Sequence, residues 1–388
     1  MSAPVKIQAP KIQVPFHRPS VGEEEVRAVA EVIRSGWLTT GAKTLEFERR
    51  FARYVGAEHA VAVSSCTAAL HLSLEAIGLQ PGDEVLLPTT TFAATAEVVT
   101  YFRARPVFVD ILPQTLNISP RDAERKITPR TRAILPVHFA GQPCDMEELR
   151  QLADAHHLPV IEDAAHALPA AYREKRVGGI SELTAFSFYA TKPLSTGEGG
   201  MITTGNEEYA ARARRMRLHG IEPGDQEHPW EYTVRDAGYK YNFTDLQAAL
   251  GIVQLAKCDA MYDARRRVAG QYSAAFAPIE ALEIPATLAD RQPSWHLYVL
   301  RLHLDQLRVD RRRFVEELAD RGVGASVHFC PLHLQPAYQP YGYAPGDFPD
   351  AEREYPRCVS LPIYPEMTGE EIEHVISAVG DVVKHWRR

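Results

Sequence analysis

One lysine in this chain stands where an apolar run meets a glycine-rich turn. Lys192 ends the segment 187–192 (Ser-Phe-Tyr-Ala-Thr-Lys) and is followed by Pro-Leu-Ser-Thr-Gly-Glu-Gly-Gly. Between residues 44 and 239 the other lysines are Lys126 and Lys175, and both stand in charged runs typical of solvated surface. Lys192 instead stands among hydroxyl groups with few competing charges, which favours a lysine that forms an imine with a carbonyl group. Lys192 is therefore the first candidate for a catalytic residue.

Pyridoxal phosphate is the aldehyde cofactor that an imine-forming lysine holds, and its site needs further parts. A carboxylate must keep the pyridine nitrogen protonated, so that the ring acts as an electron sink. Asp163 ends the run Leu-Pro-Val-Ile-Glu-Asp, and the small Ala164 and Ala165 after it would leave room for a ring. Asp163 is the candidate carboxylate, although an aspartate here is equally suited to cap a helix. His166 could reach the phenolic oxygen of the cofactor or be a buried structural histidine.

The phosphate of such a cofactor needs a cradle, and a strand-to-helix junction offers one. Ser65, Cys66, Thr67 and Ala68 join a predicted strand to a predicted helix, where free N–H groups and the helix dipole bind anions. Simple N-capping by a hydroxyl side chain is the alternative. Ser187 is a second candidate phosphate ligand, its alternative being an ordinary strand serine.

An aromatic residue and a histidine pair complete the set of candidates. Phe92 opens a predicted helix after Pro-Thr-Thr-Thr; such a residue usually packs in a core, but beside the other parts it could stack on the pyridine ring. His328 and His333 frame the run His-Phe-Cys-Pro-Leu-His, which lacks a second cluster with metal-ligand spacing. We interpret it as a substrate-facing loop and predict no metal site. Walker A, GxGxxG and HExxH motifs are absent from the sequence.

The elements that must position these residues alternate between short β-rich runs and helical stretches. Strands are predicted at 60–63, 84–87, 106–111, 132–137, 159–162, 183–189 and 200–204. Helices are predicted at 67–77, 92–102 and 146–156, after an N-terminal helix with a capping box at 20–23 and an end at Gly36. This alternation predicts an α/β fold with a mostly parallel, doubly wound sheet, in which ligands bind outside the carboxyl ends of the strands.

A long helical pattern over residues 244–272 connects this sheet to the rest of the chain. We predict that residues 1–255 form an N-terminal segment and a large cofactor-binding domain. Residues 256–388 would form the rest of the linking helix and a smaller C-terminal α/β domain. A chain of 388 residues is long enough for two such units.

Bulk composition excludes several other classes of protein. The net charge of −7 gives no support for binding to nucleic acid or to an anionic membrane. No window reaches transmembrane length, and residues 1–15 lack a long apolar core. The five cysteines form an odd number without a CxxC pair, which favours a reducing cytoplasm.

The chain resembles the DegT-type nucleotide-sugar aminotransferases, a family of fold-type I pyridoxal phosphate enzymes, over nearly its whole length. The motifs that carry the resemblance are Gly-Trp-Leu-Thr-Thr-Gly at 36–41, Ser-Cys-Thr-Ala-Ala-Leu-His-Leu at 65–72, Glu-Asp-Ala-Ala-His-Ala at 162–167, Phe-Ser-Phe-Tyr-Ala-Thr-Lys at 186–192 and Thr-Gly-Glu-Gly-Gly-Met at 196–201. The resemblance implies an imine at Lys192, a pairing of Asp163 with the pyridine nitrogen and a stacking role for Phe92. It also implies that Thr67, Ala68 and Ser187 hold the phosphate and that His166 lies near the phenolic oxygen.

Family members form homodimers in which the partner chain completes each active site, and the matching segment here is Gly-Tyr-Lys-Tyr-Asn-Phe-Thr-Asp at 238–245. Lys240 stands where the family commonly has asparagine. It is a candidate point charge for the phosphate of the cofactor or substrate, and Asn242 is a candidate cofactor contact. Cys66 replaces a glycine frequent in the phosphate turn. Because backbone N–H groups would bind the phosphate there, this change is compatible with the predicted role.

The resemblance implies a ping-pong transamination through pyridoxamine phosphate, with L-glutamate as the amino donor. The motif versions are most similar to the branch that aminates C4 of a 4-keto-6-deoxyhexose linked to dTDP or UDP. Amination of C3 of a 3-keto sugar is the alternative, and a catalytically silent sugar-nucleotide or cofactor-binding regulator is a further one. Thr39, His328 and His333 are the candidate sugar contacts.

Overall fold

The computed structural model of the chain describes residues 12–224 and 230–388. Residues 1–11, the start of the predicted N-terminal segment, lie outside the described part. The described residues form eleven α-helices: α1 (Glu23–Ser35), α2 (Ala42–Val55), α3 (Cys66–Ala76), α4 (Ala93–Tyr101), α5 (Pro120–Lys126), α6 (Met146–Ala155), α7 (Glu207–Met216), α8 (Asp245–Phe276), α9 (Arg311–Asp320), α10 (Pro349–Glu354) and α11 (Gly369–Trp386). Short 3₁₀ turns lie at Phe139–Gly141, Leu332–Leu334, Pro336–Tyr341 and Tyr355–Arg357.

The same residues form fifteen short strands. They are β1 (His59–Val63), β2 (Glu84–Pro88), β3 (Arg105–Val109), β4 (Thr131–Ile134), β5 (Ile161–Asp163), β6 (Ala171–Tyr172), β7 (Lys175–Arg176), β8 (Leu183–Ser187), β9 (Gly200–Thr204), β10 (Ile221–Pro223), β11 (Tyr232–Val234), β12 (Leu282–Glu283), β13 (Arg291–Gln292), β14 (Tyr298–Leu302) and β15 (Cys358–Leu361).

The central sheet has the strand order β1-β9-β8-β5 on one side and β4-β2-β3 on the other. Parallel bridges from Ile134 to Val160 and from Val137 to Asp163 join the two halves. Strand β9 alone runs antiparallel to its neighbours β1 and β8, and the remaining pairs are parallel. The prediction of a mostly parallel sheet is therefore confirmed. The carboxyl ends of β1, β5 and β8 meet at one edge, which brings the distant candidate residues together.

Buried strands and buried helices explain why this sheet is stable. Strands β1, β2 and β8 are almost entirely buried runs, as expected for strands covered on both faces. Helix α3 is buried from Ala68 to Leu74 and packs against the sheet, while α2 covers the other face with Phe47 and Phe51. Such burial of large apolar side chains is the main favourable term in folding.

Helix α8 is 32 residues long and links the two parts of the chain. Thr244 and Gln247 form a capping box at its start, one residue from the predicted beginning. Its second half packs with α11 and the antiparallel sheet β12-β14-β15 in a separate apolar core. Val14 belongs to that core and pairs with Val323, so the start of the described chain packs on the C-terminal unit. The predicted boundary between residues 255 and 256 stays a prediction.

Helix α1 departs from its sequence prediction in one respect. Its N-cap is Gly22, whose backbone N–H bonds the Glu25 carboxylate at 2.8 Å, so the capping box predicted at residues 20–23 is wrong. Gly36 ends the helix in the left-handed conformation, as predicted. Val26 and Ile33 are about 60% exposed, so apolar side chains of this helix are in contact with solvent in the single chain.

Across residues 12–224 and 230–388, no helix is both long enough and apolar enough to cross a membrane.

Candidate active site

A cavity of about 420 Å³ opens at the edge of the sheet where β1, β5 and β8 end. Nine of the candidate residues line it: Ser65, Cys66, Thr67, Phe92, Asp163, His166, Ser187, Lys192 and His328. These residues are up to 263 positions apart in the sequence, and the parallel strand ends bring them together. The candidates Thr39, Ala68, Lys240, Asn242 and His333 are not among the residues that line it.

Lys192 follows β8 and stands in a turn in which its backbone N–H bonds the carbonyl of Tyr189 at 2.9 Å. Burial lowers the pKa of its amine from 10.5 to about 8, although the charges of Cys66 and Asp163 act in the opposite direction. Among the described residues, the ammonium group makes no hydrogen bond or salt bridge. Lys192 is thus a partly neutral amine at physiological pH, as an imine-forming lysine and a general base must be.

Asp163 is the last residue of β5 and is 95% buried. The hydroxyl of Thr95 donates to one carboxylate oxygen at 2.8 Å, and the N–H of Ala165 donates to the other at 3.1 Å. Burial nevertheless raises the pKa of the Asp163 carboxyl above its ordinary value. Thr95 in turn shares a hydrogen bond of 2.7 Å with Thr91. The carboxylate is therefore fixed in orientation by two donors, while a cationic partner would stabilise its charge.

The N-terminus of α3 lies where the sequence predicts an anion cradle, and that role stays a prediction. Ser65 is the N-cap, and its hydroxyl accepts the N–H of Ala68 at 3.0 Å. The N–H groups of Cys66 and Thr67 in the first turn have no partner among the described residues. Gly200 approaches this turn so closely that a Cβ atom there would lie 2.4 Å from the carbonyl oxygen of Ser65. A glycine at position 200 therefore avoids a clash with Ser65 and allows the turn to keep its conformation.

The remaining lining of the cradle includes a hydroxyl and a thiol. Ser187 ends β8, is 92% buried and faces the same cavity. Burial raises the pKa of the Cys66 thiol well above its ordinary value, so this side chain is a neutral thiol. Ala68 contributes its backbone N–H to the N-cap bond, and its side chain is buried beneath the cradle.

Phe92 is the N-cap residue of α4 and is 60% exposed. An aromatic ring with this exposure is not packed in the core, and it lines the cavity 5.9 Å from the ring of Phe329. The core-packing alternative is therefore not supported by its burial. Its stacking on a cofactor ring stays a prediction.

Histidine side chains form one wall of the cavity. His166 is buried, and its Nδ1 atom has no hydrogen-bond partner among the described residues. Its ring lies 4.4 Å from that of His296 and 5.9 Å from that of Phe329. Burial lowers the pKa of both histidines well below the ordinary value. His328 bonds the hydroxyl of Ser360 at 2.8 Å through Nδ1, and burial lowers its pKa to about 4.

His333 lies inside the protein instead of facing the cavity. Its side chain is fully buried, with Nδ1 2.7 Å from the hydroxyl of Thr89 and Nε2 3.0 Å from the carboxylate of Glu352. Both ring nitrogens are thus engaged within the chain. We propose that His333 has a structural role and holds the loop before the Pro336–Tyr341 turn against the end of β2. The sequence predicts instead that His333 contacts the sugar.

Thr39, Lys240 and Asn242 are not part of the lining of the cavity of this chain. Thr39 and Lys240 are exposed, and the amide of Asn242 donates to the hydroxyl of Thr40 at 2.9 Å. Lys240 follows Tyr239, whose ring stacks on that of Tyr241 at 5.2 Å beside His71. Because side chains alternate in extended backbone, Lys240 is on the opposite side from the two tyrosines. Its role at a partner's site stays a prediction.

The sequence prediction missed several residues that shape the site. Phe16 and His17 line the cavity from the N-terminal segment, and His296 lines it from the C-terminal unit. None stands in a motif with spacing that indicates chemistry, so no local signal could have identified them. Thr95 follows Phe92 by three residues, and helical spacing together with the candidate role of Phe92 could have indicated it.

Residues 19–380 match the DegT/DnrJ/EryC1/StrS aminotransferase family. The chain is 47% identical over 378 residues to the spore coat polysaccharide biosynthesis protein SpsC of Bacillus subtilis, covering 96% of this chain and 97% of that protein. The fold superposes on Spr1654 of Streptococcus pneumoniae in its PMP form with a TM-score of 0.92 and 32% identity, covering 96% of this chain and 98% of that one. A PLP form of Spr1654 matches equally well.

A third similar structure is PseC of Helicobacter pylori, an aminotransferase involved in the biosynthesis of pseudoaminic acid. Its TM-score is 0.91 at 29% identity, with 97% of this chain and 100% of that chain covered. The chain therefore belongs to the DegT/DnrJ/EryC1/StrS aminotransferase family. It is a sugar aminotransferase of fold type I that uses pyridoxal phosphate, which confirms the predicted fold, enzyme class and cofactor.

The residues present fit this cofactor. The unpaired N–H groups of Cys66 and Thr67 suit a phosphate, and the close approach of Gly200 leaves that cradle open. Asp163 suits a protonated ring nitrogen, and the unpartnered Nδ1 of His166 offers a hydrogen bond to a ring substituent. Within the described ranges, no cluster of His, Cys, Asp and Glu has the arrangement of a metal site.

Proposed function

We propose that this enzyme transfers the amino group of L-glutamate to C4 of a dTDP- or UDP-linked 4-keto-6-deoxyhexose, giving a 4-amino-4,6-dideoxy sugar nucleotide. The observation that carries the proposal is that a partly buried Lys192, whose pKa is about 8, and a buried Asp163 line one cavity. The choice of C4 rests on the versions of the motifs at residues 36–41, 65–72 and 238–242.

Bound pyridoxal phosphate supplies an aldehyde carbon and a protonated ring that withdraws electrons. Asp163 holds that ring nitrogen in its protonated state and transfers no proton itself. Lys192 Nζ removes a proton from the α-carbon of the amino donor and, in the second half-reaction, returns one to the amination carbon of the sugar. A pKa of about 8 makes this amine a base of suitable strength near neutral pH.

The other residues of the cavity bind and orient. The N–H groups of Cys66 and Thr67, with the Ser187 hydroxyl, hold the phosphate without a cationic side chain. Phe92 covers one face of the ring, and Ala165 lines the cavity with a side chain small enough to admit the ring at the other face. His166 donates to or accepts from the phenolic oxygen, and His328 contacts the sugar.

We also propose a homodimer in which Thr39, Lys240 and Asn242 complete the site of the partner chain. In support, these residues do not line their own cavity. The apolar side chains of Val26, Ile33, Trp37 and Leu38 are 46–60% exposed in the single chain. Contiguous exposed apolar patches mark protein interfaces, and we propose that these side chains form one. We further propose a cytoplasmic location.

The test is incubation of the purified enzyme with L-glutamate, pyridoxal phosphate and a panel of 3-keto and 4-keto sugars linked to dTDP or UDP. Mass spectrometry of the products should show amination of a 4-keto sugar nucleotide, with loss of the product in Lys192→Ala. Asp163→Asn should stay folded but react far more slowly. Amination of a 3-keto sugar with no turnover of the 4-keto series would contradict the assignment to C4.

The oligomeric state has its own test. Wild-type enzyme should elute as a dimer in size-exclusion chromatography with light scattering. In an equal mixture of Lys192→Ala and Lys240→Glu subunits, hybrid dimers should hold one site with both natural residues. Activity recovered in the mixture but absent from each variant alone supports shared sites, and absence of recovery contradicts them.

A further inference from the structure

The N-terminal segment of the described chain crosses from the C-terminal unit to the catalytic lysine turn. The N–H of Val14 bonds the carbonyl of Gly322 at 2.8 Å, and the N–H of Gly324 bonds the carbonyl of Val14 at the same distance. A Cβ atom at Gly324 would lie 2.7 Å from the N atom of Phe16, so the two segments run in close contact. This pairing fixes where the next residue, His17, lies.

His17 connects this segment to the turn that carries Lys192. Its Nε2 atom lies 3.2 Å from the carbonyl oxygen of Ala190, two residues before the lysine. A carbonyl oxygen only accepts hydrogen bonds, so Nε2 must carry the proton. Burial, with the nearby charge of Arg265, lowers the pKa of His17 to about 4, and the ring is therefore neutral at pH 7.

A neutral imidazole with its proton on Nε2 has a lone pair on Nδ1, which is then an acceptor and not a donor. Within residues 12–224 and 230–388, Nδ1 of His17 has no hydrogen-bond partner, and the side chain lines the cavity. The ring of Phe16 beside it stacks on the ring of His328 at 5.7 Å and 25°. This segment therefore brings one acceptor of fixed position to the cavity, beside the stacked rings of Phe16 and His328.

The two substrates of the proposed reaction differ in what they offer to such an acceptor. The carboxylates of an amino acid have no proton to donate at neutral pH, and its amino group would be used in the reaction with the aldehyde carbon of the cofactor. A sugar has hydroxyl groups, each of which donates one hydrogen bond. An acceptor lone pair on the cavity wall therefore favours a sugar hydroxyl over the carboxylates of the amino donor.

We propose that His17 is a specificity-determining residue whose Nδ1 atom accepts a hydrogen bond from a hydroxyl group of the sugar nucleotide. This inference rests on the proposed function, because it requires a sugar acceptor in this cavity. It assigns substrate recognition to the N-terminal segment, in addition to the strand ends of the large domain.

Two substitutions separate the two nitrogen atoms of this ring. His17→Gln places an amide N–H near the position of Nε2, so it keeps the bond to Ala190 but lacks an acceptor at the position of Nδ1. His17→Asn does the opposite, with an acceptor near Nδ1 and no group that reaches Ala190. His156→Ala, which removes an exposed histidine at the end of α6, is the surface control.

The holoenzyme of each variant is assayed in its two half-reactions separately. The donor half-reaction is followed by the absorbance change of the bound cofactor on addition of L-glutamate. The acceptor half-reaction uses the 4-keto sugar nucleotide and analogues that each lack one hydroxyl. We expect His17→Gln to lower kcat/KM for the sugar nucleotide by about 5-fold to 10-fold, the effect of one lost hydrogen bond. The donor half-reaction should stay within about two-fold of wild type.

His17→Asn should retain most of the acceptor half-reaction. In wild type, one deoxy analogue should react about 5-fold to 10-fold more slowly than the full substrate, and that difference should disappear in His17→Gln. Equal losses in both half-reactions, or a deoxy effect that persists in His17→Gln, would overturn the proposal. A wild-type enzyme with no donor half-reaction would instead refute the proposed function, so the two failures are distinguishable.

Discussion

The lowered pKa of Lys192 can be measured directly in the cofactor-free protein. A pKa of about 8 in place of 10.5 raises the neutral fraction of the amine at pH 7 from about 0.03% to about 10%, a factor of roughly 300. Only the neutral amine reacts with an acylating reagent. The rate of labelling at Lys192 should therefore rise with pH and reach a plateau, with its midpoint near pH 8.

The assay is competitive labelling with a small reagent such as acetic anhydride, because the amine must be reached through a cavity of about 420 Å³. Peptide mass spectrometry separates Lys192 from the eight other lysines of the chain. The same peptide in guanidinium chloride is the internal control, and its midpoint should return to the ordinary value near 10.5. Addition of pyridoxal phosphate before the reagent should protect Lys192.

The variant Asp163→Asn tests the physical reason for the shift. Burial lowers the pKa of Lys192, while the charge of Asp163 opposes that effect. Removal of the carboxylate should therefore move the midpoint further below pH 8. A folded wild-type midpoint above pH 10 would refute the argument from burial, and an upward movement in Asp163→Asn would refute the assigned sign of the interaction.

Three further predictions concern stability and binding. Lys192→Met should stabilise the cofactor-free protein at pH 7 by up to about 3 kcal/mol in urea unfolding, because the folded wild type keeps an ammonium group away from water. This gain in stability should disappear as the pH rises from about 8 to 10.5, and a variant less stable than wild type at pH 7 would contradict the prediction. Gly200→Ala should weaken binding of pyridoxal phosphate about 10-fold or more, because the added methyl meets the carbonyl of Ser65, whereas Gly205→Ala, with open space around it, should bind normally. Thr95→Val should slow the donor half-reaction by roughly 10-fold to 100-fold, because a hydrogen bond to a charged group is worth about 1.5–3 kcal/mol. It should have no further effect in an Asp163→Asn background.

The sequence predicted best where one segment contains its own signals. Strand β9 has the predicted bounds 200–204, and α8 begins one residue after the predicted start. Asp163 and Lys192 were identifiable because each stands at the end of an apolar run, and parallel strands of this length end at a common edge. The local sequence pattern predicts each strand, and the rule that parallel strands end at a common edge then predicts that the residues at and just after these strand ends lie close together.

The sequence is least informative where the placement of a residue depends on a distant partner. His333 was selected as a polar residue in a short loop, but Thr89 and Glu352 bind both its nitrogens in the interior. His17 was not selected, since its position depends on the pairing of Val14 with Val323, about 300 residues away in the chain. Residue type and spacing contain no information on such a pairing, which the packing of the C-terminal unit determines.

The electrostatics of the cavity give a physical reason why a cofactor belongs there. Burial shifts the pKa of Lys192 downward and that of Asp163 upward, so each charged form is destabilised in the cofactor-free protein. The N–H groups at the start of α3 and the Nδ1 atom of His166 lack partners at the same time. A ligand with a cationic ring nitrogen, a dianionic phosphate, a phenolic oxygen and a carbonyl carbon would supply the missing partner for each of them. Binding should therefore stabilise the folded chain, and the residues that reduce the stability of the cofactor-free state are those that we propose perform the chemistry.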